Sequence, residues 1–347
     1  MQNKFFKKLL LEGGYFSGRF LARPEFVSLL ITYRCNFRCE NCDIWKKRYP
    51  ELSSKEWLIM AEKIKRSFPK GTFIEINGGE PLLRKELVLA LVRSFKKTDN
   101  IVGINTNGYL VDKVFAHAAK KADADFVKVS LYSLSSTIHD LLRGFSGAHK
   151  AALRAIDNLI EENVKTEIGI IITRKNIDGI PFLMNQMMRK RGDISFILQP
   201  LDEKIESEAG NLKDENVIDQ AQWPSRDQVE DLFEEIWSNR HRIKNWPRQE
   251  LIKKYYIDPE NILRNRCFVG QRNLVIYPDG KVSFCFKGNK FGNLNEEELD
   301  KLLSGQKAEQ ERRRIRGCRK YCRIVGCNYS MGFREFFNSI LEDPRKV

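Results

Sequence analysis

Cys35, Cys39 and Cys42 fall on one short stretch with the spacing C-x3-C-x2-C. They follow an apolar run, VSLLIT, that reads as a strand. Three thiolates on one loop suit three irons of a four-iron, four-sulfur (4Fe–4S) cube. The fourth iron then has no protein ligand. It stays open to a substrate or cofactor, as a metal site must if it is to do chemistry. A structural zinc loop or buried thiols are the competing readings. Structural zinc takes four ligands, and no histidine or fourth cysteine lies near the triplet in the chain.

Two other groups carry chemistry. Asn77-Gly78-Gly79-Glu80-Pro81 follows a second strand-like run. Paired glycines let backbone approach a ligand closely, and Glu80 offers an acceptor for an ammonium group. Near the C-terminus, Cys267 and Cys285 bracket the turn Pro278-Asp279-Gly280 as C-x12-G-x4-C, and Cys318, Cys322 and Cys327 follow as C-x3-C-x4-C. Eight cysteines in a tight triplet and a looser set read as metal ligands in a reducing cytoplasm rather than as disulfides.

The cysteine triplet after a first strand, with a Gly-Gly-Glu-Pro loop after the second, resembles the radical S-adenosylmethionine (SAM) superfamily. In that family the open iron is chelated by the amino and carboxylate groups of SAM. The resemblance implies that Gly78, Gly79, Glu80 and Pro81 form the loop that binds the SAM amino group. Asn105-Thr106-Asn107-Gly108 is similar to the N-T-N-G that commonly ends the third strand, which brings in Asn105 and Asn107. Ser130 stands where a SAM-contacting polar residue ends the fourth. His139-Asp140-Leu141-Leu142-Arg143-Gly144 looks like the family's H-D-x-x-R-G, so Arg143 would pair with the SAM carboxylate. An arginine fork suits that geometry. Two positions depart from the pattern. Asn41 replaces the aromatic residue that often packs on adenine, leaving Phe37 or Trp45 to do so. Tyr132 stands where an aspartate is common.

The bracketed hairpin resembles the C-terminal extension called SPASM, or twitch in its shortened form. The resemblance implies that a full set takes about seven cysteines for two clusters. Five fill one auxiliary 4Fe–4S cluster with a thiol to spare. The expected ligands are Cys267 and Cys285 plus two of Cys318, Cys322 and Cys327, the choice of two being open. Tetrahedral zinc is the alternative for this set.

These residues need a scaffold. From Phe26 to about Pro200 the chain alternates strand and helix. Strand-like runs are 26–32, 73–77, 101–105, 125–131, 165–173 and 194–200. Helical patterns lie between them, the first opened by Ser53 with Glu56 at capping-box spacing. Others run near 85–96, 112–121, 148–162 and 178–191. Parallel strands need such crossovers. The predicted fold class is α/β, a partial (β/α)6 radical SAM barrel with a cysteine-rich twitch or SPASM-like extension. Its site belongs at the C-terminal strand ends. The expected domains are 1–25, a basic and apolar segment; 26–200, the barrel core; 201–262, a polar linker and a helix over 226–243; and 263–347, the auxiliary iron–sulfur domain.

The net charge is +14 over 347 residues, with basic stretches at 4–23 and 307–323. Such patches suit solvated helices, an acidic electron donor such as flavodoxin or ferredoxin, an anionic substrate, or nucleic acid. No apolar run approaches the 18 or so residues of a membrane span, and no cleavage site follows the short apolar start. Residues 4–21 interleave Phe5, Phe6, Leu9, Leu10, Tyr15, Phe16 and Phe20 with lysine. They suit a helix capping the barrel bottom or contacting a membrane surface, with Gly13-Gly14 expected to interrupt a long helix.

The resemblance implies reductive cleavage of SAM to a 5′-deoxyadenosyl radical, which takes hydrogen from an unactivated carbon. Some dehydrogenating relatives have an aspartate base after the second hairpin cysteine; here that residue is Phe286. Only 25 residues precede the first strand, too few for the leader-binding domain of many peptide-modifying relatives. The expected substrate is therefore a small metabolite, sugar or lipid-linked molecule. A peptide-modifying maturase is the alternative. The reading from another class is a zinc-stapled nucleic-acid binder, with nucleic acid the less favoured partner.

Overall fold

The computed structural model describes residues 2–202, 219–244 and 246–322. A helix α1 (Gln2–Ser17) precedes β1 (Phe26–Leu30). Then α2 (Ser54–Ser67), β2 (Phe73–Asn77), α3 (Lys85–Lys96), β3 (Ile101–Thr106), α4 (Lys113–Lys121) and β4 (Phe126–Ser130) alternate. Two helices, α5 (Ser136–Arg143) and α6 (Ala148–Glu161), lead to β5 (Thr166–Ile171), α7 (Ile180–Met188) and β6 (Ile194–Gln199). The Ser53 capping box is present as the sequence predicts.

Strands β1 to β6 pair in parallel and in chain order. Alternation sorts their side chains. Val27, Leu29, Ile74, Ile76, Val102, Ile104, Val127, Val129, Ile168, Ile170, Phe196 and Leu198 join one core with the crossover helices. The intervening residues face the other, concave side, because successive strand residues point to opposite faces.

After α8 (Arg226–Glu235), α9 (Trp246–Ile257) and the short α10 (Val269–Arg272) comes a hairpin of β7 (Asn273–Ile276) and β8 (Lys281–Ser283), then β9 (Gly292–Asn293). β7 pairs in parallel with β1, so the extension grows from the open edge of the barrel sheet. Helices α11 (Leu299–Ser304) and α12 (Gln306–Arg316) follow.

Two local expectations are corrected. The helix read over 226–243 ends at Glu235 and continues as a 3-10 turn over Trp237–Arg242. Gly13-Gly14 does not break α1, which runs unbroken to Ser17. A Cβ at Gly14 would stand 2.5 Å from Oε1 of Gln271 on α10. Close helix packing, rather than helix ending, is therefore what this glycine serves. Lys7 and Arg272 both pair with Glu25, just before β1, at 2.7 and 2.6 Å. α1 thus lies at the barrel's N-terminal end. No described helix is long and apolar enough to cross a membrane.

Candidate active site

The cysteine triplet occupies the loop leaving β1. Its backbone is fixed from three sides. Gly79 and Glu80 donate their N–H groups to Thr32 and Arg34 carbonyls, both at 2.8 Å. Glu40 N–H reaches the Leu142 carbonyl on α5 at 3.1 Å. Asn107 Nδ2 donates to Asn36 Oδ1 at 2.8 Å. Two glycines are needed for these approaches. A Cβ on Gly79 would lie 2.3 Å from the Arg34 carbonyl oxygen. One on Gly144, which has φ +58°, would lie 2.0 Å from that of Arg38.

The structure thus brings together the ends of β1, β2 and β3 with α5. Glu80 is fully buried. Its Oε1 accepts from Leu82 N–H at 3.0 Å and Thr106 Oγ1 at 2.8 Å, and its Oε2 from Asn107 N–H at 2.7 Å. Burial still pushes its carboxyl above the ordinary range, against those bonds. Pro81 opens the 3-10 turn after it. Gly78 is wedged against the Thr32 backbone.

Arg143 lies buried among the three cysteines. Burial opposes its charge, but Tyr132 and the sulfurs of Cys39, Cys35 and Cys42 offset this and raise its pKa. Its Nη1 donates to Tyr132 Oη at 2.7 Å, while its Nε has no partner among the described residues. Tyr132, read from sequence only as a departure, is therefore the arginine's hydrogen-bond acceptor. Ser130 faces the concave side at the end of β4. His139 Nδ1 accepts from Tyr132 N–H at 3.1 Å, and burial beside Arg143 lowers its pKa to about 3, so it is neutral. Of the two aromatic candidates, Phe37 is buried and stacked on Phe145 at 4.4 Å, and Trp45 carries Arg38 on its face at 4.5 Å.

The residues fit a cluster. Cys35, Cys39 and Cys42 are free thiols, and Cys35 Sγ accepts Phe37 N–H at 3.4 Å. Burial raises Cys35 to about 11 and also raises Cys42. A buried thiol of that kind ionises when a metal replaces its proton. Among the described residues no three His, Cys, Asp or Glu groups stand close enough to hold one metal ion. A cube, whose sulfur ligands each bind a different iron, asks for a wider spread than zinc.

The second set gathers as well. Cys267, Cys285, Cys318 and Cys322 line a single cavity, with Val269 and Ile315 beside them. Backbone N–H groups of Lys287 and Lys320 point at Cys285 Sγ and Cys318 Sγ, at 3.3 and 3.4 Å. Burial raises Cys285 to about 11 and Cys322 well above the ordinary thiol range. Lys287 Nζ also bonds Asp202, just past β6, at 2.7 Å, tying the extension to the barrel mouth. Cys327 lies outside the described residues.

Sequence reading named Asn105 but missed the row it belongs to. On the concave face, Asn105, Lys128, Glu167 and Ser195 stand side by side in register across β3, β4, β5 and β6. Asn77 on β2 extends the row through a hydrogen bond from Asn105. Lys128 Nζ bonds Glu75 at 2.6 Å. The available signal was a lone charged residue inside each apolar strand, FIEIN, FVKVS and TEIGII. A charge is costly to bury without a partner or a task.

With this geometry in view, comparison with known proteins is direct. The radical SAM superfamily profile matches residues 29–185, and the SPASM iron–sulfur cluster-binding profile matches 267–328. The chain therefore carries a radical SAM domain and, on its C-terminal side, a SPASM iron–sulfur cluster-binding domain. The cofactors of those domains are a 4Fe–4S cluster with SAM, and auxiliary iron–sulfur. It is 32% identical over 164 residues to an Fe-coproporphyrin III synthase of Methanosarcina barkeri, covering 46% of this chain and 40% of that protein. It is 24% identical over 299 residues to a PqqA peptide cyclase of Granulibacter bethesdensis, covering 82% and 74%. Among solved structures, anSMEcpe with bound AdoMet aligns at TM-score 0.65 and 17% identity, over 93% of this chain and 98% of that one. Streptococcus suis SuiB bound to its precursor peptide SuiA aligns at 0.64 and 17%, over 89% and 70%.

Proposed function

We propose that the chain is a radical SAM enzyme that abstracts hydrogen from a polar substrate, with one auxiliary cluster. The observation that carries this reading is the convergence of three free thiols, a buried arginine with an unmet Nε, and the Glu80 loop above a polar concave face. Cys35, Cys39 and Cys42 would hold the 4Fe–4S cluster. When reduced, such a cluster would supply the electron that splits a carbon–sulfur bond of SAM into methionine and a 5′-deoxyadenosyl radical able to take a hydrogen atom from substrate. The protein's part is placement. Arg143 presents its Nε and charge to the SAM carboxylate. Glu80 locks the loop that receives the amino group, with Gly78, Gly79, Asn105, Asn107 and Ser130 around it. Neutral His139 holds the backbone of Tyr132, whose hydroxyl in turn steadies Arg143.

In this reading Cys267, Cys285, Cys318 and Cys322 hold the auxiliary cluster, because they share one cavity. That leaves Cys327 as the thiol to spare. An acidic flavodoxin or ferredoxin suits the basic surface as electron donor, in a cytoplasmic setting. The exposed Phe6, Leu9 and Phe16 of α1 suit a membrane-surface contact. The substrate is a small metabolite, a sugar or the polar part of a lipid-linked molecule. A peptide substrate is the second reading, favoured by the likeness to a PqqA peptide cyclase over 82% of the chain.

The test is anaerobic reconstitution followed by SAM and dithionite. Wild type should release 5′-deoxyadenosine, and the Cys35/Cys39/Cys42 triple alanine variant should not. Equal release by both, or none by either, would contradict the reading.

A further inference from the structure

The row on the concave face contains hydrogen-bonding groups with no partner among the described residues. Ser195 is more than nine-tenths buried, and its Oγ has no partner among the described residues. Its neighbour in register, Glu167, has a side chain only 6% exposed. The nearest cation to that carboxylate is Lys244, at 3.7 Å, too long for a hydrogen bond. Lys128, next in the row, holds Glu75 instead. Further along, Asn105 donates to Asn77, but its own Oδ1 is buried and unpartnered. Three acceptors therefore line one shelf across β3, β5 and β6. Asn105 lies one residue before the end of β3 at Thr106, while Glu167 and Ser195 lie four residues before the ends of β5 at Ile171 and β6 at Gln199, deeper in the concave face. A buried polar group without a partner is destabilising, so Ser195 Oγ and Asn105 Oδ1 are held at a cost to the fold.

We infer that Asn105, Glu167 and Ser195 form the specificity shelf of the substrate site, and that it takes a ligand bringing at least two N–H or O–H donors. Hydroxyl, amino and amide groups meet that need, and an alkyl chain does not. Glu167 is the strongest acceptor of the three, Ser195 the adaptable one, and Asn105 the one nearest the SAM loop. Lys128 stays engaged with Glu75 and sets the shelf's spacing. The inference rests on the reading of this face as the reaction chamber and adds the chemistry of what enters it.

The experiment is ligand-observed NMR titration of anaerobically reconstituted protein with SAM and without reductant. Three probes are used: glucosamine, N-acetylglycine amide and 1-hexanol. At least one donor-rich probe should bind, and which one binds separates a sugar-like from an amide source. Its affinity should fall about tenfold or more in Glu167→Ala, by about the loss of a charged hydrogen bond, and severalfold in Ser195→Ala. SAM titration should be unchanged in both. Ser195→Ala removes one hydroxyl and keeps the test open if Glu167→Ala folds poorly. Binding of 1-hexanol as tight as that of the donor probes, no binding by either donor probe, or donor binding unaffected by both substitutions would overturn the inference. Because no SAM is cleaved, failure here is distinct from failure of the radical reaction.

Discussion

The two cysteine sites solve opposite problems. The N-terminal triplet draws all its thiols from one loop and leaves a gap, filled on its open side by Arg143, the Glu80 loop and a polar chamber. The C-terminal set draws thiols from three separated stretches around one cavity, with Val269, Ile315, Lys287, Arg314 and Lys320 also in its lining. Three ligands with an open side facing a polar chamber suit a cluster that must bind and react. Four ligands around a closed space suit a cluster that is kept. The first site is local in sequence and was readable from spacing alone. The second depends on the fold, and so should its stability.

The largest expected effect breaks the pair apart. Substituting Cys267 and Cys285 with alanine should leave SAM cleavage measurable while lowering the melting temperature sharply, since metal binding there is also folding free energy. Full loss of 5′-deoxyadenosine release in a variant that still folds would mean the sites are not separable in role.

A second test sharpens the claim about the open side. Arg143→Ala should weaken SAM binding about ten- to a hundredfold, the value of a lost charged hydrogen bond. Glu80→Ala should do the same and also loosen the loop, because three donors lose their acceptor. Isothermal titration with SAM measures the first effect, and melting the second.

A smaller effect is expected from Tyr132→Phe. It removes the acceptor of a buried guanidinium and should cost about 1–3 kcal/mol of stability, read by urea denaturation. No change would show that Arg143 finds another partner.

The smallest effect concerns pH. Burial pushes the Glu167 carboxyl above its ordinary range, only partly countered by Lys128 and Lys244. A carboxyl raised in this way contributes stability that is full below the ordinary glutamate pKa and lost as pH rises through the raised one. Glu167→Gln should therefore raise the melting temperature at neutral pH, and the gain should vanish on mild acidification.

How far the sequence reached follows the same division. All six barrel strands were legible because each is a short apolar run bounded by helix signals. β7 was read as half of a hairpin, and nothing local revealed its parallel pairing with β1. The Tyr132–Arg143 bond was hidden because the residues lie 11 apart across a strand end and a helix. The shelf was hidden because register, not spacing, aligns Asn105, Lys128, Glu167 and Ser195. The grouping of Cys267 with Cys322 needed the hairpin and α12 to fold together.

Iron and sulfide content after anaerobic reconstitution tests the central contrast most directly. Wild type should hold about eight irons per chain, and the Cys35/Cys39/Cys42 triple alanine variant about four, by the two-cube count. A wild-type value near four would contradict the account, because the C-terminal cavity would then hold zinc or bare thiols. Equal iron in both proteins would contradict it at the first site instead.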